Sequence, residues 1–317
     1  MINPVNSMKK VTLILLSFVF NATAQTNPDI TKSTINIEML FPDGKTKALI
    51  LSYDDGTIFD RKLVALMNKY HLIGTFHLNS NKLGTDIHFN YLNKDEVKTL
   101  YTGHEVSVHS ANHPNLPDIS KIDVINEIIE DRKELERLVG YPVRGMAYPF
   151  GNTNDEVVEA ITGLGIEYAR TVGDTQNFEI PNEFLRWHPT IHQFAKAYWE
   201  PNQPEKDKKE LDFFNKLIHE FLNINTVAVI DIWGHSWEMG TDQNKWEDTE
   251  KFFQLLANNP LIYYAKQIDL VDYVKAYRNL KFSVDKNWVT NTSSLDIFIK
   301  KNDKVYQISK GATIHLF

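Results

Sequence analysis

Four clusters of residues in this chain have types and spacings that can do chemistry. Asp54 and Asp55 stand side by side before Gly56, at the end of an apolar run. On a regular strand neighbouring side chains point to opposite faces. At a strand end beside a glycine, the chain can turn and aim both inward, so that one carboxylate binds a metal while the other stays free as a base. The plain alternative is an exposed acidic turn. His109 and His113 lie in His109-Ser110-Ala111-Asn112-His113-Pro114. Their i, i+4 spacing puts both rings on one side of a helical turn, an arrangement suited to zinc, and Pro114 ends that turn. Surface or core histidines are the alternative. Two histidines and one carboxylate form a common catalytic metal set that leaves positions open for water and substrate. Tyr148-Pro149-Phe150-Gly151, beginning four residues after Arg144, makes a rigid aromatic turn. Its backbone N–H groups can stabilise an oxyanion and its rings can line a sugar face, unless it is an ordinary Pro-Gly turn. Last comes Trp233-Gly234-His235-Ser236-Trp237-Glu238. His235 beside Glu238 is either a general acid whose protonated form the carboxylate holds, or a structural histidine in an aromatic wall. Trp233 and Trp237 are candidates for stacking on sugar rings.

Each cluster follows a strand-like run, and the intervening segments have helical periodicity. Strands are expected at 47–53, 74–78, 105–109, 143–147, 166–171, 227–233 and 261–264. Helices are expected at 59–70, 92–100, 119–139, 155–164, 211–222, 246–257 and 270–277. About seven β-α repeats point to an α/β barrel or a doubly wound sheet. Both architectures gather their active sites at the C-terminal ends of the strands.

Composition narrows the function classes. The 317 residues include no cysteine, which excludes disulfide scaffolds, thiolate metal sites, thiol catalysis and a lipid-modified cysteine. The net charge of −7 argues against a protein that tracks nucleic-acid phosphates. Residues 1–24 read as a signal peptide: Lys9 and Lys10, an apolar run at 11–20, then Ala22-Thr23-Ala24. The expectation is an exported protein, periplasmic or secreted and not a lipoprotein, with no membrane span in its mature part. Residues 25–46 form a lead-in and 47–280 the main domain. Residues 281–317 hold two to four short β-strands, too few for a core of their own, that pack on the main domain.

Asp-Asp after the first strand, His-x-x-x-His after the third, Pro-aromatic-Gly after the fourth and a late histidine after an apolar strand resemble the polysaccharide deacetylases of carbohydrate esterase family 4. The resemblance spans about 48–277. It implies a distorted (β/α)7-type barrel, here with a C-terminal β appendage. It implies a divalent metal, usually zinc, with cobalt, manganese or nickel as alternatives, on Asp55, His109 and His113. Asp54 would be the general base and His235 the general acid, with an oxyanion donor in the backbone after Pro149. The family usually has an arginine directly before the Pro-aromatic-Gly turn, where this chain has Ala147. Arg170, after the fifth strand, is the expected replacement, with Arg144 the other arginine near the motif. The family's Asp-Trp element is not apparent. Trp187 is a candidate wall of the acetyl pocket, and His188 and His192 are candidate substrate contacts or structural residues. His77, on the second strand, is expected in the core, with the barrel mouth as the alternative.

The leading functional expectation is metal-assisted removal of N- or O-linked acetyl groups from a polysaccharide or oligosaccharide. The alternatives are a cyclic amide or imide hydrolase of the same fold, and a glycan-binding module without catalysis.

Overall fold

Lys47–Asp55 is buried at every position, as expected of a central strand covered on both faces. The rest of the molecule is arranged around it. The computed structural model describes residues 36–193 and 204–317. Residues 1–24, read from sequence as a signal peptide, and residues 25–35 of the expected lead-in lie outside the described residues.

In chain order the elements are β1 (Ile37–Leu40), β2 (Lys47–Asp55), α1 (Asp60–Lys69), β3 (Thr75–Leu78), α2 (Val97–Leu100), β4 (Glu105–Val108), α3 (Lys121–Val139), β5 (Gly145–Ala147), α4 (Asp155–Gly163), β6 (Tyr168–Arg170) and β7 (Ile191–His192). There follow α5 (Pro204–Asn223), β8 (Ala228–His235), α6 (Gln243–Leu256), β9 (Ile262–Tyr264) and α7 (Gln267–Arg278). Five short strands end the chain: β10 (Lys281–Phe282), β11 (Trp288–Thr290), β12 (Ile297–Lys301), β13 (Lys304–Ile308) and β14 (Thr313–His315).

The main sheet is parallel, in the order β6-β5-β4-β3-β2-β8-β7, with β9 pairing the first residues of β2. It curls until its edges nearly meet. The segment 187–193 joins them: Trp187 donates to the Ala169 carbonyl and bridges Arg170, while Ile191 and His192 pair with Ile232 and Trp233 of β8. This is a distorted α/β barrel, as expected. A two-residue strand has too little periodicity to be seen in the sequence, which is why the joining segment was not anticipated.

Local chemistry fixes the helices. Ser120 caps α3 by accepting from the Asp123 N–H, and Gly140 ends it with φ +84°, a left-handed conformation that glycine adopts without penalty. Asn154 and Asp242 cap α4 and α6 in the same way. Val124, Ile128 and Leu135 on α3 are buried and join Leu63 and Met67 of α1 and Ile218 and Phe221 of α5 in the core outside the barrel. A second core contains Ala48, Ile50 and Val229 from the strands, Leu270, Val271 and Val274 from α7, and Ile297, Ile299 and Ile308 from the terminal strands.

The two to four strands expected after residue 280 are five. They form two three-stranded antiparallel sheets, β10-β11-β14 and β1-β12-β13. The second recruits β1, so part of the lead-in is built into the appendage: Ile37 is opposite Lys301 and Leu40 opposite Phe298. Among the described residues no helix is long and apolar enough to cross a membrane.

Candidate active site

The strand register brings the clusters together. Asp54 lies level with His77 of β3 and with His235 of β8, and Asp55 with Leu78. The chain turns sharply after them: Asp55 has φ +83° and Gly56 φ +72°, and a Cβ on Gly56 would come within 2.8 Å of Leu78 Cδ2. Ser110, His113 and Phe150 also have φ near +60°. Left-handed backbone is unusual for such residues and concentrates at functional sites.

Asp55, His109 and His113 each offer a ligand atom, and these atoms lie within 4.8 Å of one another. Asp55 Oδ1 is 3.8 Å from His109 Nε2 and 3.9 Å from His113 Nε2. Tetrahedral ligands on arms of about 2.1 Å sit roughly 3.4 Å apart, so a divalent cation fits with small side-chain adjustments. The hydrogen bonding fits too. His109 Nδ1 lies 2.8 Å from the Ala147 carbonyl, an acceptor only, so Nδ1 carries the proton and the Nε2 lone pair faces Asp55. The backbone N–H of His109 donates to Asp131 Oδ2 at 2.9 Å, and that of Ser80 donates to Oδ1 at 2.7 Å. Asp131 on α3 therefore ties together the loops that follow β3 and β4. Burial lowers the pKa of both histidines against the pull of the nearby carboxylates, His113 to about 3, with the charge of His109 adding to its depression. Both are neutral at pH 7, as metal ligation requires.

Asp54 is 2% exposed. Arg170 donates through Nη2 to both of its carboxylate oxygens. Burial pushes the Asp54 pKa up, but Arg170, then His109 and His77, hold it well below the usual carboxylate range. Arg170 is directly opposite Ala147 in the β5–β6 register. The guanidinium thus reaches Asp54 at the expected height but from the neighbouring strand, and the Trp233 ring covers it at 4.8 Å. Arg144 is a correction. It precedes β5, about 10 Å of strand away from the turn, where it pairs with Asp272 at 2.7 Å and Glu167 at 2.9 Å.

Across the site His235 Nδ1 lies 2.7 Å from Glu238 Oε1. Glu238 also receives His192 Nε2 at 2.9 Å. Burial works against both charges. The attraction and hydrogen bond of Glu238 nevertheless raise His235 to about 9, and the two histidines hold Glu238 at about 2. Glu238, three residues after the histidine, does the work for which the sequence offers no Asp-Trp element. His192 is thereby a support of Glu238. Its ring stacks on Trp233 at 4.0 Å, and the indole N–H of Trp233 donates to Asp174.

The remaining candidates separate. Trp237 donates to Asp55 Oδ2 at 2.7 Å and stacks on Phe89 at 4.8 Å. Phe150 is exposed and packs edge-on against His113. Tyr148 lines the same cavity, though its hydroxyl is turned back to the Leu185 carbonyl. Pro149 is buried and sets the turn beneath Phe150. Trp187 is a second correction: it is 1% exposed, packs against Tyr168 and Phe184, and borders a separate hollow with Arg186 and His188. Its indole closes the barrel and does not line the acetyl side. His188 accompanies it, within hydrogen-bond distance of the Thr171 hydroxyl.

One contact and one loop escaped sequence reading. His77 is fully buried with Nδ1 3.0 Å from Asp54 Oδ1. The loop between β3 and α2 contributes Asn81, Lys82, Thr85, Ile87, His88, Phe89 and Tyr91 to a cavity of about 740 Å³ that also contains Asp54, Asp55, His109, His113 and His235. Its length was the available signal, because long loops at C-terminal strand ends are usually functional.

Fold and site together define an α/β barrel with a candidate metal centre, an arginine-held carboxylate and a carboxylate-held histidine at the C-terminal strand ends. Residues 42–169 match the family model for polysaccharide deacetylase, which places that segment in the family and bears out the resemblance read from the motifs. A poly-beta-1,6-N-acetyl-D-glucosamine N-deacetylase from Staphylococcus epidermidis is 28% identical over 155 residues, 43% of this chain and 53% of that protein. The peptidoglycan-N-acetylglucosamine deacetylase PgdA of Listeria monocytogenes is 29% identical over 145 residues, 44% of this chain and 29% of that protein. The chain thus spans about half or less of the length of these relatives. A solved Mycobacterium smegmatis structure described as a polysaccharide deacetylase superposes with a TM-score of 0.60 at 14% identity, over 77% of this chain and 96% of that one, and shares the fold.

Proposed function

We propose that this chain is an exported, metal-dependent hydrolase that removes acetyl groups from a glycan. One observation carries the reading: the Asp54 carboxylate held by Arg170 and the His235 ring held by Glu238 line one cavity together with the Asp55, His109 and His113 donor set. A divalent cation bound there would polarise the acetyl carbonyl and acidify a water molecule. The other tasks belong to the chain's own side chains. Asp54, fixed by Arg170, accepts a proton from the attacking water. The backbone N–H of Phe150 is the candidate donor to the developing oxyanion. His235, kept cationic by Glu238, gives its proton to the departing nitrogen or oxygen as the bond to the acetyl carbon breaks, releasing acetate. Trp237 and Phe89 offer a stacking surface for the sugar ring. The names of the two relatives favour an N-acetylated amino sugar. Export rests on the signal-like sequence at 1–24.

The test is acetate release from acetylated oligosaccharides by the metal-loaded protein. Asp54→Asn and His235→Gln are each expected to lower kcat by about 10²–10⁴-fold. Full turnover in either variant contradicts the reading. Saturable sugar binding with no acetate released under any metal condition favours the non-catalytic binding module.

A further inference from the structure

The acids around the cavity are nearly all engaged. Asp54 is held by Arg170, Asp55 Oδ2 by the Trp237 indole, and Glu238 by His192 and His235. The one lysine on the lining is different. Lys82 is the sole lysine or arginine there, and among the described residues no carboxylate lies within 4.0 Å of its ammonium. Glu127, the other acid besides Asp55 whose charge influences it, is occupied by the backbone and side-chain N–H groups of Asn112. The Lys82 side chain is half-buried and extends over the Tyr91 ring, with Nζ 5.7 Å from the centroid.

The backbone that carries it is fixed relative to the candidate metal set. Lys82 donates to the Asn79 carbonyl, and its own carbonyl accepts from both the N–H and the hydroxyl of Thr85. Asn79 in turn donates to the carbonyls of His109 and Ser110. A half-buried lysine on a fixed backbone beside a substrate cavity is suited to anion recognition, because the solvation its ammonium has lost is best replaced by a charge-assisted hydrogen bond. Asp55, on the same lining, attracts Lys82 but stands more than 4.0 Å from its ammonium with Oδ2 held by Trp237, and Ile87, Phe89, Tyr91, Phe150 and Trp237 carry no anionic group.

We infer that the cavity takes an acetylated sugar that also bears a carboxylate close to the acetyl group, with Lys82 as the residue that recognises it. The acetyl half of this statement rests on the deacetylase reading; the carboxylate half rests on Lys82 and its surroundings. Two kinds of sugar carry such a group, those with a lactyl ether, as in muramic acid, and the hexuronic acids.

The test compares matched ligands on the metal-loaded full chain: N-acetylmuramic acid oligosaccharides against their lactyl carboxamides, and acetylated hexuronate oligosaccharides against their carboxamides. Affinity is read by quenching of the cavity tryptophans, and acetate release is followed separately. One of the two acids is expected to bind about tenfold more tightly than its amide, the scale of one charge-assisted hydrogen bond. Which pair shows the difference identifies the source. Lys82→Met should bring that ratio to about one, Lys82→Arg should retain most of it, and the effect should fall on KM more than on kcat. Equal affinity for acid and amide in both pairs, or a preference that survives Lys82→Met, overturns the inference. A carboxylate preference without acetate release leaves the recognition standing and refutes the deacetylase reading instead.

Discussion

Asp54 shows how much of this site depends on single residues brought from several strands. Its carboxylate is met by Arg170 from β6 and His77 from β3, with His109, in the loop after β4, 3.9 Å away. Asp54, Asp55, His109 and His113 were legible in the sequence because their spacing is local. The arginine was only half legible: nothing in a linear sequence states that position 170 stands beside position 147, since strand register is a tertiary property. His77 looked like a core residue and is one, but the core it occupies is the ground under the base. Trp187 stands where the family's Asp-Trp element was sought, but a tryptophan in a sequence does not state which way its ring faces, and this one is turned into the closure of the barrel. Arg170→Ala should lower kcat by about 10- to 100-fold, as loss of a supporting partner does. Adding Ala147→Arg to that variant should recover part of the loss, because the two positions share a register and a sheet face. Wild-type kcat in Arg170→Ala contradicts this account of the base.

At the scale of the elements, the site is a set of strand-end turns forced into left-handed backbone. The Tyr148 to Gly151 turn is the most constrained of them. Gly151 has φ +71°, and an added Cβ would meet Val172 Cγ2 at 2.3 Å and the Val172 backbone nitrogen at 2.7 Å. Gly151→Ala is therefore expected to destabilise by about 1–3 kcal/mol and to lower kcat by shifting Phe150. Gly140→Ala is the comparison. Its φ of +84° is just as unfavourable for alanine, yet nothing lies within 4 Å, so it should cost only about 1 kcal/mol and leave kcat alone. Equal effects of the two substitutions on kcat, measured beside their melting temperatures, would show that the turn does not position the site. Helices and strands of ordinary length were readable from period and caps. The joining segment 187–193 and the loop after β3 were not, because neither has a repeating pattern.

The whole molecule is held together at the end of the barrel opposite the site. Glu105 at the start of β4 accepts from Thr75 of β3, Tyr168 of β6 and the Ile268 N–H of α7. Burial outweighs these hydrogen bonds and pushes its pKa from 4.5 up to about 7. The folded state therefore keeps a proton that the unfolded chain releases near 4.5. The stability it contributes is present in full below that pH and is lost as pH rises through about 7, a change of roughly 3 kcal/mol. Glu105→Gln should remove that portion of the pH dependence, measured as unfolding free energy at pH 4.5 and pH 8. An unchanged slope would contradict the assignment.

The terminal strands belong to the same end. Val289, Ile297, Ile299, Tyr306, Ile308 and Leu316 are buried in the core that α7 shares with β2 and β8. At about 1.5–3 kcal/mol each, their removal forfeits an amount comparable to the whole stability of a typical domain. A chain ending at residue 280 should be insoluble or melt far below the full chain. A cooperative transition at the full-chain temperature would show the appendage to be separable. The sequence indicated strands here but not that β1 completes their sheet, because pairing between the two ends of a chain leaves no local trace.

The central claim is that Asp55, His109 and His113 hold a cation needed to release acetate from a glycan. The most direct measurement is mass spectrometric detection of acetate from acetylated oligosaccharides, with protein that is metal-loaded, stripped by chelator, and reloaded with zinc, and with the His113→Ala variant alongside. The account predicts turnover in the loaded and reloaded protein, with at least about a hundredfold loss in the stripped protein and in the variant. Undiminished turnover after stripping, or in His113→Ala, would contradict it.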